Sequence, residues 1–171
     1  AYRRLRNTLR YLLGNLDGFS EAERVAASEL PSLEKWVLHR LSELDALVRQ
    51  SIHDFDFYAM STALHNFCAG DLSAFYFDIR KDALYCDRTD SLRRRACRTV
   101  LAEVFSCLTA WLAPFICFTA EEAWLARPNA GNDGQPESVH MRVIPDVPAA
   151  WRNDALAERW KLIRNLRRVV T

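Results

Sequence analysis

The sequence predicts an all-α fold, a bundle of amphipathic helices with little strand. Three observations carry this expectation. Apolar residues recur at three- and four-residue steps along most of the chain, prolines fall between those stretches and not inside them, and only one short stretch alternates. Tyr2, Leu5, Leu9, Leu12, Leu13 and Leu16 share one face of a first helix, with Arg3, Arg6, Arg10 and Asn7 opposite, until Gly14 to Ser20 loosen the pattern. Pro31 suits the first turn of a long second helix, whose stripe Leu33, Trp36, Val37, Leu41, Leu44, Leu47, Val48 and Ile52 runs to about His53. Asp54 or Asp56 can cap a third helix. Its stripe, Met60, Leu64 and Phe67, runs without a proline into Leu72, Phe75 and Ile79, with Gly70 midway as a close-packing point or a bend.

The run from Asp71 to Tyr85 is ordered on every side of that helix. Leu72, Phe75, Tyr76, Ile79 and Ala83 form one stripe, Asp71, Asp78 and Asp82 a second, and Phe77, Arg80, Lys81 and Leu84 a third. A lone surface helix needs one apolar stripe, so this is expected to be a central helix with Phe75, Tyr76 and Ile79 inside and charges paired locally, Asp78 with Lys81 for example. Tyr85 to Asp90 reads as a turn. Asp90 or Ser91 then caps a fourth helix carrying Leu92, Ala96, Val100, Val104, Leu108, Trp111 and Leu112, which ends before Pro114. Thr119-x-x-Glu122 reads as a capping box for a short fifth helix through Ala123, Trp124 and Leu125. Arg127 to Gln135 is a loop, and Ser138 to Ile144 alternates as a short extended segment. A last amphipathic helix starts near Asn153, with Leu156, Trp160, Ile163, Leu166 and Val170 as its stripe.

The chain has 171 residues, half hydrophobic and about a quarter charged, enough to bury a sizeable core. No window approaches the roughly 18 apolar residues of a membrane helix, and the basic N-terminus lacks the apolar region of a secretory signal. A cytoplasmic protein, a monomer with no membrane partner, is expected. Cys68, Cys86, Cys97, Cys107 and Cys117 form no C-x-x-C pair and fall mostly in apolar runs, so they are expected to be reduced and structural, with no metal site. The net charge of +1 conceals segregation. Residues 1–16 carry four arginines and no acid, residues 17–90 seven bases against fourteen acids, residues 91–148 six of each, and residues 149–171 six bases against two acids. Two basic ends on an acidic body fit a molecule that meets a polyanion at particular places, although solvated helix faces give the same pattern.

No Gly-rich phosphate loop, G-x-S-x-G, H-E-x-x-H or zinc spacing is present, which weighs against a catalytic site. The histidines are dispersed: His39 on the wet face of the second helix with Lys35, Ser42 and Glu43, His53 at a helix end, His65 beside Asn66, and His140 in the alternating segment. Each is expected to be surface or hydrogen-bonded. Arg93, Arg94 and Arg95 oppose the dipole at their helix N-terminus and need an anion, which Asp87 and Asp90 can supply internally or an RNA phosphate externally.

The run Asp71-Leu72-Ser73-Ala74-Phe75-Tyr76-Phe77-Asp78-Ile79-Arg80-Lys81-Asp82-Ala83-Leu84-Tyr85 has companions in the same order. These are Tyr2 to Leu16 (YRRLRNTLRYLLGNL), Leu112-Ala113-Pro114 followed by Phe118-Thr119-Ala120-Glu121-Glu122-Ala123-Trp124, Ser138-Val139-His140 followed by Pro145, and Trp160-x-x-Ile163-Arg164. Together they resemble the tRNA anticodon-binding region of the bacterial isoleucyl-tRNA synthetase family over nearly the whole chain. The pattern departs from that family locally at Phe115-Ile116-Cys117, where a more aliphatic segment is usual, and at Ala83, where a larger side chain is common.

The resemblance implies a class Ia aminoacyl-tRNA synthetase anticodon-binding helical bundle over residues 1–148, with residues 149–171 starting the C-terminal junction helix. It implies a module of an isoleucine-tRNA ligase that uses ATP and magnesium, in which catalytic and editing domains lie elsewhere in the chain and some members carry a zinc-binding tail. No cofactor and no catalytic residue are expected here. The partner implied is the isoleucine tRNA, met by Arg3, Arg6, Asn7 and Arg10 on the first helix and by Arg164, Arg167 and Arg168 on the last. For the first helix, docking against the catalytic domain is the competing use of the same face. The related valyl-tRNA synthetase domain and a helical protein-interaction scaffold are the alternatives.

Overall fold

Side-chain caps set the starts of two helices. In the computed structural model, which describes residues 1–170, Asp56 Oδ1 accepts the Ala59 N–H at 3.0 Å and Ser91 Oγ accepts that of Arg94 at 3.2 Å. Each cap of this kind stabilises its helix by about 1 kcal/mol. The helices are α1 (Tyr2–Leu16), α2 (Ser32–His53), α3 (Phe57–Asn66), α4 (Phe77–Tyr85), α5 (Leu92–Leu112), α6 (Cys117–Leu125) and α7 (Asp154–Val170). Single 3-10 turns occur at Glu21–Glu23, Val139–Met141 and Ala149–Trp151, and no strand occurs among the described residues.

Between α3 and α4 the helix does not stop but widens. Phe67–Tyr76 forms π-type turns, and the Phe77 N–H reaches back five residues to the Leu72 carbonyl. Such widened stretches are uncommon and recur at functional sites. Gly70 lies within it and is not a close-packing point, since a Cβ there would meet nothing within 4 Å.

Helix α5 runs through the middle, packed on α1, α2, α4 and α6, with Cys97, Val100, Leu101, Val104 and Leu108 fully enclosed. Leu5, Leu9, Leu12 and Leu16 of α1 close one side of this core and Trp36, Val37, Leu41, Leu44 and Val48 of α2 another. Arg98 ties down the connector after α1, donating to the Asn15 and Asp17 carbonyls at 2.9 and 3.1 Å and to both Glu23 oxygens. Inside the bundle, Glu34 receives two Arg80 hydrogen bonds (2.5 and 2.7 Å) and one from Tyr76 (3.2 Å). A buried charge persists only with such pairing.

Four expectations are corrected. The segment 138–144 does not run extended throughout. Glu121 Oε2 takes the Val139 N–H at 2.8 Å and the Ser138 hydroxyl accepts the His140 N–H, which tightens Val139–Met141 into a 3-10 turn; no neighbouring strand offers a ladder among the described residues. Extended backbone at Ser138 resumes at Arg142 after the turn, with Val139 buried and Met141 and Val143 exposed. The Thr119–Glu122 capping box does not form, because α6 starts earlier, with Ile116 at its cap. Ile79 is on the rim of the bundle, 36% exposed, while Phe77, Ala83 and Leu84 make the buried face of α4. His39 is not on a wet face. It is fully buried beneath the start of α7, and its Nδ1 accepts the Asn153 N–H at 2.9 Å.

Candidate nucleic-acid interface

Outside α1, the exposed Arg49, Arg88, Arg93 and Arg152 each pair with an acid of the chain, while Arg159 and Arg168 on α7 have no carboxylate partner among the described residues. Arg93 makes two hydrogen bonds to Asp87 (2.7 and 2.5 Å), which hold the Asp87 carboxyl below the usual carboxylate range. Arg94 donates to the Asp87 carbonyl, Arg95 to that of Glu23, and Asp90 is taken by Arg88. Of the arginine triplet, Arg93 therefore has an anion within the chain, and Arg94 and Arg95 are held by neutral carbonyls. On helix α1, Arg3, Arg6, Asn7 and Arg10 are exposed together on one face, and no carboxylate pairs with any of these arginines among the described residues.

The α1 face opens on a groove of about 920 Å³, whose walls carry Arg3, Arg4 and Asn7 on one side and His65, Ala69 and Ser73 on the other. No acidic side chain among the described residues lines it. The second wall belongs to α3 and the wide segment. Tyr11 and Phe77, stacked with ring centroids 4.1 Å apart, close its floor.

On the opposite side of the wide segment lies a second groove of about 600 Å³, between α2, the wide segment and α7. Helix α7 is held there by several ties. Trp160 Nε1 donates to Ser32 Oγ at 3.0 Å, and its ring packs edge-on to Phe75. Arg164 reaches Asp71 Oδ1 at 2.7 Å, and Arg40 Nε reaches the other oxygen of Asp71 at 3.0 Å. Arg167 pairs with Asp78, whose carboxyl is held below the usual range by hydrogen bonds from Lys81 first and Arg167 second. The expected Asp78–Lys81 pair is present at 3.1 Å. Arg168 is exposed on the groove lip.

The family model for the anticodon-binding domain of tRNA ligase matches residues 34–171. The chain belongs to that family. Its relatives include isoleucine–tRNA ligases of Agrobacterium fabrum and Caulobacter vibrioides, each 54% identical across the whole chain, and of Brucella abortus, 52% identical across the whole chain. The chain spans 17% of the length of each of these proteins. The shared name agrees with the isoleucyl resemblance and does not favour the valyl one.

In this anticodon-binding domain the folded chain carries its two basic ends to opposite sides of one helix. Of the seven residues the sequence singled out, Arg3, Arg6, Asn7 and Arg10 share one face, while Arg164, Arg167 and Arg168 belong to the other groove. Arg164 and Arg167 are already engaged by acids of the wide segment and α4. The grooves also bring in groups that helical spacing does not reveal. Arg4 and His65 join the α1 side, and Arg40, Glu43, Lys161 and Asn165 the α7 side. Arg4 is a neighbour of Arg3, and Lys161 and Asn165 lie within one turn of Arg164; His65, Arg40 and Glu43 depend on helix pairing over long sequence separations.

Other polar groups are structural. The thiols of Cys68, Cys97 and Cys107 are pushed up to about 12 by burial and are inert at neutral pH, and all five cysteines are free. Among the described residues no group of three or more His, Cys, Asp or Glu is placed to hold a metal, and no helix is long and apolar enough to cross a membrane.

Proposed function

We propose that this chain is the tRNA-holding module of an isoleucine-tRNA ligase, binding the anticodon stem and loop so that the acceptor end of the isoleucine tRNA reaches a catalytic site elsewhere in the parent. The observation that carries this reading is the unneutralised arginine face of α1 in a chain where exposed arginines such as Arg88, Arg93 and Arg152 each have an acid. Arg3, Arg6 and Arg10, with Asn7, contact the phosphate backbone and set register; Arg168 does so from the other groove, and Arg164 and Arg167 shape its wall. Residues 1–148 form the anticodon-binding bundle, and residues 149–171 begin the C-terminal junction helix.

ATP and magnesium act in the catalytic part of the parent, and any zinc in its tail. The parent works in the cytoplasm as a monomer. Filter binding of the full-length parent to the isoleucine tRNA and to the same tRNA with a changed anticodon tests the reading. Tighter binding of the unchanged tRNA is expected. Equal binding of both would overturn anticodon recognition by this domain, and binding of neither would favour the protein-interaction scaffold.

A further inference from the structure

Of six exposed aromatic side chains among the described residues, five lie at one end of the bundle. Phe55, Phe57 and Tyr58 occupy the turn from α2 into α3, and the Phe57 ring packs edge-on to Phe115 in the turn from α5 to α6. Tyr2, in the first turn of α1, shares a hydrogen bond with Thr119 at 2.9 Å, next to Phe118, which is 92% exposed. The sixth, Tyr85, is at the other end of α1, beside Asn15. Single apolar side chains are ordinary on a surface, but aromatics gathered at one end mark a docking site.

Phe55 is the most telling of these residues. Its N–H donates to the Ile52 carbonyl at 3.3 Å, and the Asp56 N–H donates to that of Ser51 at 2.8 Å. This pair of bonds closes a helix by turning one residue into the left-handed region, where glycine is usual and a bulky side chain is strained. Phe55 holds that place, with φ 56°, and its ring meets the edge of Phe57 yet stays 80% exposed. The other non-glycine residue with positive φ among the described residues is Asn129, whose short polar side chain tolerates it. The bundle thus bears strain at Phe55 and recovers little apolar burial from its ring, a cost that a second surface covering the ring offsets. No lysine or arginine occurs in residues 51–59 or 113–119, whereas Asp54 and Asp56 are exposed on the turn. Such a rim repels a phosphate backbone and suits an apolar protein surface with a basic edge.

We propose that this aromatic end is the seat of the part of the parent that leads into Ala1, with Phe55 as its anchor. This rests on the reading above that the chain is one module of a longer ligase: it spans 17% of its isoleucine–tRNA ligase relatives, so most of such a protein lies outside the bundle. Helix α1 starts at this end, and the bond from Tyr2 to Thr119 sets the preceding stretch beside Phe118. Docking here fixes the bundle relative to the rest of the parent and leaves the arginine face of α1 free for RNA.

Hydroxyl-radical footprinting of the full-length parent without tRNA, read by mass spectrometry and normalised to the urea-unfolded chain, tests this. Phe55, Tyr58 and Phe118 are expected to lose most of their labelling in the folded parent, while Tyr85 keeps its own. Phe55→Gly relaxes the turn, so helix content by circular dichroism is expected to hold. Protease cleavage in the stretch before Ala1 is nevertheless expected to speed up by about five- to thirty-fold, the effect of one lost interface anchor. Phe118→Ser, outside the strained turn, is expected to do the same. Free labelling of all three aromatics in the wild-type parent, or unchanged cleavage in both variants, would overturn the proposal. So would protection that appears only with tRNA, which would make this end an RNA surface, or only at high protein concentration, which would make it a contact between copies. A parent that protects these rings but binds no isoleucine tRNA would instead overturn the tRNA-holding function and leave the docking in place.

Discussion

Asp71 and Arg164 meet at 2.7 Å across the junction of the wide segment with α7, and the other oxygen of Asp71 holds Arg40 of α2 at 3.0 Å. One carboxylate, itself only 7% exposed, thus joins three helical elements. Asp71→Asn leaves the Arg164 guanidinium without its anion and Arg40 with Glu43 alone. Breaking a fully buried pair costs about 3–5 kcal/mol, and partial exposure of both arginines reduces this to about 1–3 kcal/mol. Urea unfolding of the variant is expected to show that loss, with faster proteolysis within α7 than elsewhere. Unchanged cleavage of α7 would mean that Trp160 and His39 anchor it without Asp71.

The contact between Asp78 and Arg167 supplies a pH dependence. The Asp78 carboxyl is held low by Lys81 and Arg167, so its contribution is fully present above its unfolded pKa near 3.9 and is lost as pH falls through the lower folded value. Wild type and Asp78→Asn should therefore differ by the same melting temperature increment at pH 7 and pH 5, and the increment should close below about pH 4. An increment that instead changes between pH 7 and 5 would point to a histidine and exclude Asp78 as its source.

Within the bundle, Glu34 is completely enclosed and depends on Arg80 and Tyr76. Arg80→Met strands that carboxylate and is expected to cost about 3–5 kcal/mol in chemical denaturation. Tyr76→Phe removes one hydrogen bond and costs about 1 kcal/mol. The double substitution Glu34→Met with Arg80→Met recovers most of the first loss, since matched apolar groups often replace a buried pair at little net cost. If the double variant is as unstable as Arg80→Met, packing and not charge dominates at this position.

The helices were legible where local chemistry decides them. Ser91, Asp56, Pro114 and the leucine stripe of α1 place their elements within a residue or two, because caps, breakers and amphipathic periodicity act over one turn. What local spacing missed depends on distant partners. His39 shares its helix with Lys35 and Glu43 and so reads as wet, yet it is covered by Asn153, 114 residues later. Glu122 had the right spacing for a capping box, but the helix gained a turn upstream of it. The wide segment is not visible in the spacing, because the buried Leu64, Cys68, Leu72 and Tyr76 keep the four-residue steps of an ordinary helix. Of the interface, the basic ends were visible as segregated charge, whereas their convergence on opposite sides of one helix belongs to topology alone.

That convergence makes the arginines of α1 the sharpest point of decision, because the same exposed face could contact RNA or another part of the parent protein. Changing Arg3, Arg6 and Arg10 together to Gln removes exposed charges that no carboxylate pairs among the described residues, so the stability of the domain is expected to move by no more than about 0.5 kcal/mol per site. If these side chains neutralise tRNA phosphates, each lost contact makes the plot of log affinity against log salt shallower by about 0.7–0.9. The triple variant of the full-length parent should then lose roughly two units of slope and bind the isoleucine and anticodon-changed tRNAs more weakly to the same degree, since phosphates carry no sequence information. If the face docks instead on a neighbouring domain, the slope stays as in the wild type and the loss appears as a lower unfolding temperature of the parent. Titration at several salt concentrations, paired with calorimetry, separates the two outcomes.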